Sequence, residues 1–179
     1  MVQSTQSPGS NYLNAEAANE IEFFKTEEIP TVVQKFEHYP MSEMRTAFDS
    51  TFSSMKSLLE PHDIHPTGPA FALHHSMPGK TATFEIGIPV NRALKKPVHS
   101  GTGVTLENSS LPAKKVARLS VFGSYAGLGG AWQNFMNSVF RAGKKADLPF
   151  WEVYVSEPTP DTDPETLRTD LYTATSHTH

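Results

Sequence analysis

The order strand, helix, strand, strand can be read twice along this 179-residue chain, and that repetition restricts the fold more than any single motif does. From Ile21 to Tyr39 the pattern is β-like, with Phe23-Phe24, Val32-Val33 and Phe36, broken by Pro30 and closed by Pro40. The period then changes. Met41, Met44, Phe48, Phe52, Met55 and Leu59 recur at steps of three or four, which predicts an amphipathic helix ending before Pro61. Two strand-like runs follow, Pro69 to His75 and Thr81 to Val90, joined through Pro78-Gly79, a pair suited to a tight turn. After a connection over residues 91–112 with no clear element of its own, the order returns. A strand is expected from Lys114 to Phe122 and a helix from about Ala126 to Ala142, striped by Leu128, Trp132, Phe135 and Val139 and capped by Gly143. Strands from Phe150 to Val155 and from Leu167 to Thr173 complete it, separated by the rigid acidic turn around Pro158 and Pro160. Residues 68–75 can be laid over residues 148–155. The expectation is an α+β fold of two pseudo-symmetric βαββ repeats, about residues 21–90 and 113–173, forming an antiparallel sheet with two long helices.

Residues 1–19 are polar, with Pro8-Gly9 among them, and read as a loosely ordered tail before a domain at 20–175; residues 176–179 read as a second tail. The absence of cysteine excludes thiol nucleophiles, zinc–thiolate sites and iron–sulfur clusters. No run reaches the roughly 18 apolar residues of a membrane helix, and the N-terminus lacks a signal-peptide pattern, so a cytoplasmic, non-membrane protein is expected. Residues 1–60 carry nine acids against four bases, and the rest of the chain is nearly neutral. Neither part has the basic stripe of a nucleic-acid binder, so none is expected as a direct partner.

Side chains alternate across a sheet. In the strand 150–155 one face carries Trp151, Val153 and Val155, the set expected to meet the helices, and the other carries Phe150, Glu152 and Tyr154. In the first half Ala70, Ala72 and His74 take the equivalent face, and small residues there would leave a cavity beside Glu152. A carboxylate recessed among aromatic rings suits an organic cation through short-range charge matching and cation–π attraction of about 0.5–2 kcal/mol per ring. Spacing alone equally allows Glu152 to pair with Arg118 or Arg168 on a neighbouring strand.

The run Leu111-Pro112-Ala113-Lys114-Lys115-Val116-Ala117, then Phe122-Gly123-Ser124-Tyr125-Ala126-Gly127-Leu128 with Trp132, then Pro149-Phe150-Trp151-Glu152-Val153-Tyr154-Val155 with Pro158, and lastly Leu167-Arg168-Thr169-Asp170-Leu171-Tyr172, resembles the DNA gyrase inhibitor-like small-molecule-binding superfamily. Members of it also form the effector-binding domains of multidrug-sensing bacterial transcription activators. The resemblance covers about residues 20–173. It implies a ligand pocket between the two βαββ units, with Glu152 contacting a cationic lipophilic ligand and Tyr154 and Tyr125 as aromatic wall or hydrogen-bonding residues. Strand parity and the helix stripe add Phe122, His74 and Trp132. In full-length regulators such a domain follows a helix-turn-helix, for which 19 residues are too few, so a stand-alone binder is expected.

The leading expectation is therefore a protein that sequesters or senses a hydrophobic or cationic small molecule, as in drug or toxin resistance, with the enzyme question left open. An alternative is a hydrolase of strained, cyclopropane-type toxins, with Glu152 and Tyr125 as its catalytic pair, because some stand-alone relatives resemble such enzymes. A gyrase-protecting interaction protein is a further class. Haem is disfavoured because the neighbouring His74 and His75 point to opposite faces of a strand. No cofactor or metal is implied; His62, His65 and His99 read as loop residues.

Overall fold

The computed structural model describes residues 13, 16–76, 79–101, 103–124, 127–156 and 161–177. The expected Pro78 corner of the first hairpin, Tyr125 and the Pro158–Pro160 part of the acidic turn lie outside them. Among the described residues nine antiparallel strands form one sheet: β1 (Glu22–Lys25), β2 (Ile29–Pro40), β3 (Ala70–His74), β4 (Thr81–Pro89), β5 (Val98–His99), β6 (Thr105–Leu111), β7 (Lys115–Phe122), β8 (Lys144–Tyr154) and β9 (Arg168–His177). Their order across the sheet is β1-β7-β9-β8-β3-β4-β2-β6-β5. Helix α1 (Met44–Leu59) links β2 to β3, and α2 (Leu128–Arg141) links β7 to β8. The fold class is α+β, as the alternation of periods predicts.

Two parts of the sequence reading are corrected. The stretch 91–112, expected to hold no element, supplies β5 and β6, and β6 pairs with β2 from Ile29↔Leu111 to Val33↔Glu107. Its run Thr-Leu-Glu-Asn-Ser-Ser-Leu buries only Leu106 and Leu111, too sparse a pattern to announce a strand. The strand expected from Phe150 starts at Lys144, because a register shift between Asp147 and Phe150, at the cis Leu148–Pro149 bond, interrupts its alternation.

The sheet does not lie flat. Residues 26–28 join β1 to β2, six places apart in the strand order, which at about 4.8 Å per strand is roughly 29 Å across a flat sheet. Four residue steps reach only about 14 Å. The sheet must therefore curl, and the antiparallel connection 112–114 confirms the crossing: Thr26 N donates to Lys114 O at 2.8 Å and Thr26 Oγ1 to Pro112 O at 2.7 Å. Curling lets Ile29, Val33, Leu111 and Val116, from strands distant in the order, pack around Phe71, Leu73, Trp151, Val153 and Tyr172. Trp151 lies over Tyr172 at 5.4 Å with the rings nearly parallel. The apolar face of β8, expected to meet the helices, thus fills a core that the sheet closes on itself.

Leu13 belongs to this core, 1% exposed, although the sequence reading starts the domain at Glu20. Ala18 and Ser120 exchange hydrogen bonds of 2.9 Å, and the Arg118 guanidinium donates to Glu16 O at 2.7 Å. Arg118 also binds Asp170 at 2.9 Å, Glu22 at 3.0 Å and the Tyr172 hydroxyl at 3.0 Å, and Arg168 meets the same Asp170 oxygen at 2.9 Å. A buried carboxylate held by two guanidiniums and the Ser120 hydroxyl is the paired arrangement that burial of charge requires.

The helices cover the opposite face. Helix α1 lies over β4 and β2, and α2 over β8 and β7. Met55 and Leu59 pack with Val32, Val90 and Leu106, and Phe135 and Val139 pack with Ala117 and Leu171. Gly143, at φ 81°, ends α2 in the left-handed conformation expected of its cap. No helix among the described residues is long and apolar enough to cross a membrane.

Candidate functional site

With one helix over each half of the sheet, the two central strands β3 and β8 lie between them. Their register sets Ala70 opposite Tyr154, Ala72 opposite Glu152 and His74 opposite Phe150, all on the helix side. Above them opens a cleft of about 1850 Å³, walled by Met44, Phe48, Phe52 and Met55 of α1 and by Leu128, Trp132 and Met136 of α2. The alanines make the room. The α1 stripe read as buried core divides accordingly: Met55 and Leu59 are buried, whereas Met44, Phe48 and Phe52 are half-buried because they face the cleft.

Glu152 sits on the floor. Trp132 Nε1 donates to its Oε2, and the Tyr154 hydroxyl donates to its Oε1 at 2.7 Å. Burial raises the Glu152 carboxyl above the usual carboxylate range, and these two donors oppose the shift without cancelling it. Neither Arg118 nor Arg168 reaches it, since both are engaged with Asp170. The cross-strand ion pair that spacing allowed is therefore not formed. Asp49 of α1 and Glu60 just after it, the other lining carboxylates among the described residues, are exposed.

The floor is largely aromatic. His74 stacks on Phe150 at 4.8 Å and beside Phe84 at 5.5 Å, Trp132 meets Phe150 edge-on at 4.9 Å, and Phe48 meets Tyr154 at 5.7 Å. Burial and the neighbouring His75 lower the His74 pKa to about 4, so this ring is neutral at pH 7. His75 points away and bonds Glu85, which also accepts from Ser109; those bonds outweigh burial and keep Glu85 below the usual carboxylate range.

Of the side chains singled out from sequence, the structure gathers Glu152, Tyr154, His74 and Trp132 around one cleft. Phe122 lies apart: it ends β7, is 57% exposed and does not line the cleft. Tyr125 lies outside the described residues. Sequence reasoning missed Phe48, Met44, Phe52 and Met136 as cleft residues, because the helical period that places them on the sheet side does not say whether a strand lies beneath.

The sequence matches no family model and no curated protein. Solved structures do share the fold. The EcmrR C-terminal domain aligns with a TM-score of 0.67 at 16% identity, over 89% of this chain and 98% of that one. EcmrR in a complex with DNA aligns at a TM-score of 0.66 and 17% identity, and there this chain spans 58% of the longer EcmrR chain. A hydrolase from Listeria innocua aligns at 0.58 and 10% identity, over 90% and 94% of the two chains. SAV2435, solved bound to tetraphenylphosphonium, aligns at 0.58 and 11% identity, over 88% and 94%. The fold of this chain is thus the one these proteins share.

Proposed function

We propose that the cleft binds an amphipathic organic cation, with Glu152 as its counter-charge. The observation that carries this reading is the recessed Glu152 carboxylate, held by Trp132 and Tyr154 on the floor of an aromatic- and methionine-lined cleft. Among the described residues the carboxylate has hydrogen-bond donors and no cation beside it, so a ligand cation would supply the missing charge while the rings add cation–π attraction. Methionines 44, 55 and 136 are polarizable and adapt to varied shapes, which suits sequestration or sensing of several compounds. SAV2435 carrying a lipophilic cation on the same fold supports the class of ligand. We read the two strand-helix-strand-strand units as pseudo-symmetric repeats meeting at β3 and β8, and the register in which Ala72 faces Glu152 supports it.

Calorimetric titration with tetraphenylphosphonium tests the proposal: saturable binding that weakens about tenfold in Glu152→Gln is expected, and equal affinity in the variant overturns the charge-matching argument. A second reading, hydrolysis of a strained electrophile, draws on Glu152, whose raised pKa and bond to Tyr154 suit proton transfer, and on the shared fold of the Listeria hydrolase. Incubation with a cyclopropane-bearing electrophile separates the two: product formation lost in Glu152→Gln supports turnover, and recovery of intact compound excludes it.

A further inference from the structure

We infer that His74 is a second polar anchor of the cleft, a neutral hydrogen-bond donor that selects organic cations bearing an uncharged acceptor oxygen over purely hydrocarbon cations. This rests on the cation-binding reading above and adds to it what else the ligand must carry.

His74 lines the cleft, is 7% exposed, and its Nδ1 is sealed from solvent with no hydrogen-bond partner. A buried N–H without an acceptor costs more than a buried lone pair, so the ring proton belongs on Nε2. Nε2–H is then the one ring nitrogen able to meet a group in the cleft. Phe150 and Phe84 fix the ring plane by stacking, so little side-chain entropy is lost when a ligand engages it. The neutral ring, with its pKa near 4, donates without repelling a cation held by Glu152. The register places the two groups diagonally on adjacent strands, Ala72 facing Glu152 and His74 facing Phe150, a separation of roughly 7–8 Å between backbone positions. A cation whose aryl ring bears a para oxygen spans a comparable distance.

The test compares tetraphenylphosphonium with (4-methoxyphenyl)triphenylphosphonium by calorimetry at pH 7, on the native protein and on His74→Phe, which keeps a ring between Phe84 and Phe150. The methoxy cation is expected to bind native protein roughly three- to tenfold tighter, the range of one neutral hydrogen bond. In His74→Phe that advantage disappears, the two cations binding with equal affinity to within about twofold whatever the absolute affinity of the variant. An advantage that survives in His74→Phe, or equal affinities in the native protein, overturns the inference while leaving the cation reading standing; failure of both cations to bind native protein overturns both. Nitrogen-15 NMR of native protein gives a check that needs no variant: a protonated Nε2 supports the assignment, and a protonated Nδ1 overturns it.

Discussion

The indole N–H of Trp132 on α2 donates to the carboxylate of Glu152 on β8, so a helix wall and the floor of the cleft are joined at this recessed acid. Trp132 reads in the sequence as the second residue of a helix stripe whose later members, Phe135 and Val139, are fully buried. In the fold the stripe runs from core to cleft, and Trp132 stands at the boundary.

Glu152→Gln should weaken cation binding and stabilise the free protein together. Burial without a cation disfavours the ionised form, so removing the ionisable acid is expected to raise stability wherever that acid would be ionised. Thermal unfolding of the variant without ligand checks this; a lower midpoint would show that the carboxylate is stabilising as it stands.

Cation affinity should depend on pH through Glu152. Only the ionised acid matches a cation, and its folded pKa lies above the ordinary value of 4.5, so affinity is expected to rise with pH through that raised value. The same shift means the folded state binds the proton more tightly than the unfolded chain, so this group's contribution to stability falls as pH rises through that window. Trp132→Phe removes one donor to the carboxylate and should move the affinity transition to higher pH. Titrations from pH 5 to 8 read both; a transition unmoved by the substitution would show that the Trp132 bond does not tune the acid.

His74 titrates in the opposite sense. Its folded pKa, about 4, lies below the unfolded value of 6.5, so its contribution is fully present above pH 6.5 and lost as pH falls toward 4. Over that interval the loss amounts to about 3 kcal/mol. Urea unfolding of native protein and His74→Phe at pH 7 and pH 4.5 measures it: the variant should lose markedly less stability on acidification, and an equal loss would assign the acid sensitivity elsewhere.

Ala70→Leu should block the cleft with little effect on the core. Ala70 lines the cleft opposite Tyr154, and a larger side chain there projects into open space. Tetraphenylphosphonium affinity is expected to fall about tenfold or more, with stability changed by less than about 1 kcal/mol. Unchanged binding would move the ligand away from the floor of β3.

Arg118→Met should destabilise strongly without altering the chemistry of the cleft. It leaves the buried Asp170 with Arg168 and the Ser120 hydroxyl and frees the Glu16 carbonyl, a loss expected at about 3–5 kcal/mol. Denaturant unfolding measures it. The folded fraction should bind cations as native protein does, because Arg118 lies on the face of the sheet away from Glu152.

Much of this was open to reading from the chain itself. Apolar spacing of three and four over Met41 to Leu59 and over Leu128 to Val139 dictates two helices whatever surrounds them, because 3.6 residues per turn is a property of the backbone. Alternation over Phe150 to Tyr154 likewise dictates that Glu152 shares a face with Phe150 and Tyr154, and the small residues Ala70 and Ala72 announce a gap. Which face meets the helices is a different kind of fact. Both faces of β8 carry large rings, Trp151 on one and Phe150 and Tyr154 on the other, so local hydrophobicity does not choose between them. The choice is made by the curl of the sheet, which draws Ile29, Leu111, Val116 and Leu13 over Trp151 and leaves Glu152 to the helices. That curl depends on the short crossing at 26–28 and on β6, whose polar sequence hides it, and both act through contacts between residues more than seventy positions apart. Local periodicity determined the elements and their faces; only long-range packing decided that the recessed acid would meet an open cleft and not an arginine.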